Sequence, residues 1–220
     1  LKSGMVTSAE ALVRWQHPHK GLLAPEQFLP LAEKNGLIKS ITLWVLQEAL
    51  QQCRRWHEAG LEIPVAVNVS AHNLQTPDLP EHIVQLLKDT GVQPSQLELE
   101  INESTVLSDP TRTFGMLRNL HQRGIKISID DYGTAPSSLH YLNQLPMHQI
   151  KIDKSFILNM ADQNNAVIVQ SAIALAHSLG RTTTAEGVES KEVLDKLAVL
   201  GCDMAQGYYM SPPVAPDELV

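Results

Sequence analysis

The chain contains 220 residues, of which 43% are hydrophobic and 19% are charged, a composition typical of a globular protein. Its formal net charge of −7 argues against a general binder of nucleic acid or anionic membranes, because either would need a basic face. No apolar run approaches the roughly 20 residues of a membrane-spanning helix. We therefore expect a cytoplasmic domain, whose parent protein could still be anchored in a membrane elsewhere.

Short β-type runs alternate with amphipathic helical stretches along the chain. The predicted strands are 5–15, 65–70, 97–102, 126–131, 149–153, 182–186 and, more weakly, 204–209. Helices are predicted from Pro25 towards Gly36, over 38–57, from Pro80 to Gly91, from Pro110 to Gly124, over 166–179 with Asn165 as N-cap, and before Gly201. About seven such alternations indicate βα units around parallel strands.

Seven strands are one short of a closed eight-stranded barrel, so the first strand is expected to be missing or truncated before residue 1. With no sequence repeat and no obvious linker, the simplest interpretation is a single barrel-like domain over residues 1–220. An open, doubly wound α/β sheet is the alternative.

Most strand candidates carry polar residues near the end of the strand. These residues are Glu10, Asn68, Glu100, Asp130, Asp131, Lys151, Asp153, Glu186 and Gln206. In a barrel the carboxyl ends of the strands converge on one mouth, where the active site lies. One such acid alone is more often a turn former or a helix cap than a ligand. A converging set of five carboxylates needs compensating charge, and five of these acids form the candidate set: Glu10, Glu100, Asp130, Asp131 and Glu186.

Two divalent cations together with the ammonium group of Lys151 would neutralise these five acids. Carboxylate and amide oxygens are hard ligands that suit Mg²⁺ or Mn²⁺. Neither an HExxH zinc motif nor a phosphate-binding glycine loop is present in the sequence. Paired acids could also indicate a glycosidase, but aromatic residues make up only 5% of the chain, and a lysine among adjacent aspartates suits metal-assisted hydrolysis better.

A series of short motifs, in order along the chain, resembles the EAL-domain family. The motifs are Glu10-Ala11-Leu12-Val13-Arg14-Trp15, Asn68-Val69-Ser70, Glu100-Ile101-Asn102-Glu103-Ser104, Asp130-Asp131-Tyr132-Gly133-Thr134, Lys151-Ile152-Asp153, Ala185-Glu186-Gly187-Val188-Glu189 and Gln206-Gly207-Tyr208. Each piece alone is weak, whereas all of them in order are highly specific.

The resemblance implies a TIM-like (β/α)8 barrel and a phosphodiesterase that opens cyclic di-GMP to linear pGpG. It also leaves a second class open, a catalytically weak receptor that binds cyclic di-GMP without turnover. Because every ligand position of the family is occupied here, the resemblance favours the enzyme.

The resemblance also implies two ions per site, Mg²⁺ or Mn²⁺, with Ca²⁺ expected to be inhibitory. One ion would be held by Glu10, Asn68, Glu100 and Asp130. The second would be held by Asp130, Asp131 and Glu186.

Further roles follow from the same resemblance. Glu10, Lys151, Glu186 and Asp131 would be catalytic, with Lys151 contacting the attacking water. Arg14, Gln206 and Asp153 would contact substrate. Glu103 would anchor the loop 131–138, which in the family connects the site to a dimer interface. The expected partners are cyclic di-GMP, a second copy of the chain, and sensory or GGDEF domains in the full protein.

Four residues depart from the family pattern. Asn102 and Ser190 stand where the family usually has Thr, and Ala135-Pro136 stands where a second Gly and an aromatic residue are usual. Pro136 fixes its own φ and restricts Ala135, so the loop is expected to be stiffer than in its relatives.

Overall fold

Parallel β-strands alternate with α-helices throughout the computed structural model, which describes residues 1, 3–135 and 139–219. The strands are β1 Ala9–Ala11, β2 Trp15–His17, β3 Gly21–Leu23, β4 Val65–Asn68, β5 Leu97–Asn102, β6 Lys126–Tyr132, β7 Gln149–Ile152, β8 Thr182–Ala185 and β9 Met204–Ala205. The helices are α1 Pro25–Lys34, α2 Ile38–Glu58, α3 Ala71–Leu74, α4 Leu79–Thr90, α5 Glu103–Ser108, α6 Pro110–Gln122, α7 Leu139–Gln144, α8 Lys154–Leu158, α9 Gln163–Ser178 and α10 Lys191–Val199. This order confirms the predicted α/β class.

The described residues form two compact units. The N-terminal unit comprises Val6–Glu100 and Thr111–Lys126, and the C-terminal unit comprises residues 1–5, 101–110 and 127–219. In the N-terminal unit β1 pairs with β4 and β4 pairs with β5, all parallel. The predicted strand 5–15 is wrong in its extent, because β1 ends at Ala11 and the chain then enters an antiparallel hairpin of β2 and β3.

The core of the N-terminal unit lies between α2, α4 and the strands. Helix α2 buries Leu46, Leu50 and Cys53, which recur at the spacing of one helical face. Helix α2 packs against β4, in which Val65 and Val67 are buried. Strand β4 is buried except at its last residue, so Asn68 is the residue that this strand exposes.

In the C-terminal unit the strands β6, β7, β8 and β9 pair in parallel and in chain order. Ile152 of β7 lies opposite Ala185 of β8, and Ala185 lies opposite Ala205 of β9. These residues pack against α9 and α10 in a cluster that includes the fully buried Val169 and Leu197. The matched register brings the residues that follow these strands to the same end.

Helix α9 begins three residues earlier than predicted. Its N-cap is Asp162, whose Oδ1 accepts hydrogen bonds from the backbone N–H of Asn164 at 2.7 Å and of Asn165 at 3.4 Å. The side chain of Asn165, the predicted cap, instead donates to the backbone oxygen of Asn159. A carboxylate is favoured at this position because its charge also interacts with the helix dipole.

Asp203 links β8 to the start of β9. Its Oδ2 accepts hydrogen bonds from the Thr183 N–H at 2.8 Å, from the Thr183 hydroxyl at 3.0 Å, and from the His177 ring at 2.9 Å. Burial raises the pKa of Asp203, but the bonds from His177 and Thr183 outweigh it, so the pKa lies below its ordinary value. The charged form is therefore the one that the fold stabilises.

We predict that Asp203→Asn lowers the free energy of unfolding at pH 7 by about 1–2 kcal/mol, because hydrogen bonds to a charged group are lost. A carboxyl group whose pKa is lowered by folding stabilises the folded state at pH values above its unfolded-state pKa, about 3.9. This stabilisation is lost as the pH falls through the folded-state pKa. Urea unfolding should therefore show the difference at pH 7 and a smaller one near pH 3. Asp195→Asn, in an exposed pair with Lys191, is the control, and an equal effect from both variants would contradict the assignment.

Among the described residues, no helix is long and apolar enough to cross a membrane.

Candidate active site

Three carboxylates cluster at the ends of β6 and β8 in the C-terminal unit. Asp130 and Asp131 lie within the last part of β6, and Glu186 directly follows β8. One carboxylate oxygen from each lies within 4.8 Å of the others. All three side chains are partly buried, so their charges repel in an environment that screens them less than water does.

Lys151 of β7 supplies positive charge to this cluster. Its Nζ lies 2.7 Å from Glu186 Oε1 and 3.8 Å from Asp130 Oδ1, and its side chain is only 2% exposed. A lysine is almost never buried to this extent unless it is paired. Three carboxylates and one ammonium group still leave negative charge in excess, and a cation can compensate it.

The strand register explains why these groups meet. Lys151 lies opposite Thr184, and Ile152 lies opposite Ala185 in the parallel pair of β7 and β8. The backbone N–H of Glu186 then donates to the Ile152 oxygen at 3.1 Å. The sequence prediction that strand-end polar residues converge is therefore realised within this unit.

Asp131 is held in an unusual conformation between two helix N-caps. It is the one described non-glycine residue with positive φ, at 54°. Its carboxyl group accepts a hydrogen bond from the Asn102 side-chain amide and shares another with Asp153. Burial raises the pKa of Asp131 to about 6, with further contributions from the charge of Asp130 and from the bond to Asp153.

Asp153 is the N-cap of α8. Its Oδ1 accepts from the Ser155 backbone N–H at 3.0 Å and from the Ser155 hydroxyl. Burial raises the pKa of Asp153, but these bonds and the bond from Asp131 outweigh it, so the pKa is lowered. The two pKa shifts have opposite signs, so Asp153 is the more acidic member of this pair. The predicted role of Asp153 in substrate binding stays a prediction.

Glu103, the first residue of α5, reaches the segment after Asp131. Its Oε2 accepts hydrogen bonds from the backbone N–H of Gly133 at 3.0 Å and of Ala135 at 3.4 Å. The Thr134 hydroxyl donates to the Asp131 backbone oxygen at 2.8 Å. Pro136 and Ser137 of the predicted loop lie outside the described residues.

In the N-terminal unit, Asn68 at the end of β4 joins two carboxylates from the neighbouring strands β1 and β5. Its Nδ2 donates to Glu10 Oε1 at 2.7 Å and to Glu100 Oε2 at 3.3 Å. The carboxylates are pure acceptors, so the amide nitrogen must face them. The carbonyl oxygen Oδ1 is then the remaining metal-ligating atom of this amide.

Arg14 and Gln206 have local backbone contacts. The Arg14 guanidinium donates to the backbone oxygen of Val13 at 2.9 Å. Gln206 follows β9, where its backbone N–H donates to Ala185 at 2.9 Å and its oxygen accepts from Val188 at 3.0 Å. Their predicted contacts with substrate stay predictions.

Sequence reasoning missed the contact of Asn102 with Asp131. Asn102 was noted only as a departure from a threonine position. A signal existed, because Asn102 and Asp153 each end a strand and are each followed two residues later by a serine, a pattern typical of helix N-caps. The tertiary contact of both caps with Asp131 carries no local signal.

The residues present fit divalent cations. The cluster of Asp130, Asp131 and Glu186 offers carboxylate oxygens, and the group of Glu10, Asn68 and Glu100 offers two carboxylates and an amide oxygen. Oxygen-only donor sets suit Mg²⁺ or Mn²⁺ rather than zinc. Within the described parts of the chain, the cluster in the C-terminal unit is the one group of three acidic or metal-ligating side chains that is this close.

Known proteins with similar sequences include two that are named as cyclic di-GMP phosphodiesterases. The bifunctional diguanylate cyclase/cyclic di-GMP phosphodiesterase MucR of Pseudomonas aeruginosa is 41% identical over 99% of this chain and 32% of its own length. The cyclic di-GMP phosphodiesterase NbdA of the same organism is 41% identical over 97% of this chain and 28% of its own length. The chain thus spans about a third of the curated relatives it matches.

A solved structure of the MucR phosphodiesterase in complex with c-di-GMP superimposes with a TM-score of 0.93 at 42% identity, covering 96% of this chain and 86% of that one. This match supports the predicted TIM-like α/β barrel fold. The EAL domain family model matches residues 1–213. The chain therefore belongs to the EAL domain family, as its motifs indicated.

Proposed function

We propose that this chain is the catalytic domain of a metal-dependent phosphodiesterase that hydrolyses cyclic di-GMP to linear pGpG. The observation that carries the proposal is the cluster of Asp130, Asp131 and Glu186 around the buried Lys151. The matched relatives named cyclic di-GMP phosphodiesterases support the substrate.

Two sets of residues hold Mg²⁺ or Mn²⁺ in this proposal. Asp130, Asp131 and Glu186 hold one ion. Glu10, Asn68 and Glu100 hold the other, and the sequence-based assignment of Asp130 to both ions stays a prediction. When bound, such ions polarise the phosphate, lower the pKa of water and neutralise charge on the leaving oxygen.

The residues of the chain orient the reaction. Lys151 holds its ammonium group 2.7 Å from Glu186, so it keeps that carboxylate in place and adds positive charge against the phosphate. Hydrolysis forms a bond between the water oxygen and phosphorus and breaks the bond to the 3′ oxygen, which receives the proton. Arg14, Gln206 and Asp153 are proposed to contact the nucleotide.

The test is product formation from cyclic di-GMP with Mg²⁺, with Mn²⁺ and with EDTA, followed by chromatography. Release of pGpG that needs Mg²⁺ or Mn²⁺ supports the proposal. Tight binding of cyclic di-GMP without pGpG would instead make the chain a receptor.

Ca²⁺ is expected to bind but to support a rate at least about tenfold below that with Mn²⁺, because it takes roughly 6–8 ligands at about 2.3–2.6 Å instead of a tight octahedron. Added Ca²⁺ should therefore inhibit the enzyme running on Mn²⁺. Steady-state rates at saturating metal measure this effect, and comparable rates with the two ions would contradict the proposed ligand geometry.

Glu103→Ala is expected to lose most turnover and to bind Mg²⁺ more weakly, because Gly133 and Ala135 lose the acceptor that holds the segment after Asp131. Thermal stability should change little. Glu103→Gln, which retains an acceptor oxygen, is the matched control and should keep more activity. Turnover of Glu103→Ala within about twofold of the parent at saturating Mg²⁺ would rule out the anchoring role.

The remaining proposals concern the assembled protein. Because the chain spans about a third of its curated relatives, and one of these is named as bifunctional, we propose that further signalling domains, such as sensory or GGDEF domains, accompany it. We also propose the homodimer that the family resemblance implies. Light scattering of the purified domain measures its molar mass, which should be twice that of one chain.

A further inference from the structure

Asn102, the last residue of β5, makes hydrogen bonds in two directions. Its Oδ1 accepts from the Ser104 backbone N–H at 3.1 Å and from the Ser104 hydroxyl at 2.6 Å, which caps α5. Its Nδ2 donates to the Asp131 carboxylate. One side chain therefore connects the start of a helix to a proposed metal ligand.

The chemistry of the partners fixes the orientation of this amide. The Ser104 backbone N–H can only donate, so the atom that faces it must be the carbonyl oxygen. The nitrogen then points to Asp131, which can accept. In the reversed amide, Nδ2 would face the Ser104 N–H, which is also a donor, and Oδ1 would face the Asp131 carboxylate, which is also an acceptor.

Asp131 is a residue that needs such support. A non-glycine residue at positive φ is strained, and this conformation persists only where its surroundings hold it. The next residues are held by Glu103, which accepts from Gly133 and Ala135. Adjacent residues of one strand–helix junction, Asn102 and Glu103, thus hold the Asp131 side chain and the backbone that follows it.

An amide differs here from the threonine expected at this position. A hydroxyl would have to accept from Ser104 and donate to Asp131 through a single oxygen. The amide of Asn102 assigns these two bonds to two separate atoms and reaches one bond further from the backbone. The asparagine at position 102 can therefore hold the Asp131 carboxylate and cap α5 at the same time.

We propose that Asn102 is a positioning residue that sets the Asp131 carboxylate for cation binding and ties it to the N-terminus of α5. For turnover this inference rests on the proposed function, but its effect on metal binding does not. Loss of a group that orients a metal ligand typically costs about 10–100-fold in metal affinity or activity.

The test uses Asn102→Ala, with Ser190→Ala as the matched control. Ser190 caps α10 through a bond from Val193 at 3.3 Å, so its substitution removes a cap without touching Asp131. Calorimetric titration with Mn²⁺, in the absence of substrate, should show affinity reduced at least about tenfold in Asn102→Ala and unchanged in Ser190→Ala. At saturating Mn²⁺, kcat should fall while KM for cyclic di-GMP stays within about twofold.

Parental Mn²⁺ affinity in folded Asn102→Ala would overturn the inference. If the melting temperature of Asn102→Ala lies far below that of Ser190→Ala, the Mn²⁺ titration is repeated with Asn102→Asp. This variant keeps the size of the side chain and the helix cap but cannot donate to Asp131. Weaker Mn²⁺ binding by Asn102→Asp supports the inference, and equal or tighter binding overturns it. A parent that binds Mn²⁺ but forms no pGpG would refute the proposed function while leaving this comparison intact.

Discussion

Lys151→Met is expected to lower turnover at least about 100–1,000-fold, because it removes the fixed positive charge from the site where negative charge develops. The same change should destabilise the metal-free protein by about 3 kcal/mol, because removing one partner of a buried ion pair leaves the other charge uncompensated. Glu186 at 2.7 Å and Asp130 at 3.8 Å are the groups left behind.

Bound cations should reverse the loss of stability but not the loss of turnover. Melting temperatures of parent and variant should therefore differ strongly in EDTA and much less in saturating Mn²⁺, while pGpG formation stays low in both conditions. Lys196→Met is the matched control, because its pair with Glu192 is exposed and such pairs contribute about 0.5 kcal/mol or less. An equal melting difference with and without Mn²⁺ would contradict the compensation of the acids by cations.

Glu10→Ala is expected to abolish measurable turnover while leaving the fold intact. Glu10 is only partly buried and contacts Asn68 at 2.7 Å, so a small side chain can replace it structurally but cannot serve as a metal ligand. Rates of pGpG release at saturating substrate and Mn²⁺ measure the effect, and a thermal melt checks the fold.

Glu48→Ala is the control for Glu10→Ala, since Glu48 is an exposed acid on α2. It should retain parental turnover. Near-parental turnover in a well-folded Glu10→Ala protein would contradict the proposed binding of a metal ion by Glu10, Asn68 and Glu100.

The sequence allowed the strands and the acids that follow them to be predicted, because both depend on local patterns. Strand β5 was predicted at its observed bounds. Glu186 was predicted as the last residue of the strand 182–186, and it directly follows β8. Because neighbouring parallel strands run in the same direction, the acids at their carboxyl ends lie at the same edge of the sheet.

Other features depend on tertiary contacts, and no local pattern encodes them. The positive φ of Asp131 and its bonds to two helix caps arise from elements distant in sequence. Helix α9 was placed at the wrong cap because Asp162 and Asn165 are both good N-cap residues, and only the structure shows which one bonds the first turn.

The most direct test of the account follows oxygen from solvent into product. The purified chain is incubated with cyclic di-GMP and Mn²⁺ in water enriched in ¹⁸O, and the products are analysed by mass spectrometry. Hydrolysis at phosphorus predicts pGpG that carries one solvent oxygen on its terminal phosphate, with no product in EDTA. Unchanged cyclic di-GMP in the presence of Mn²⁺ would contradict the account.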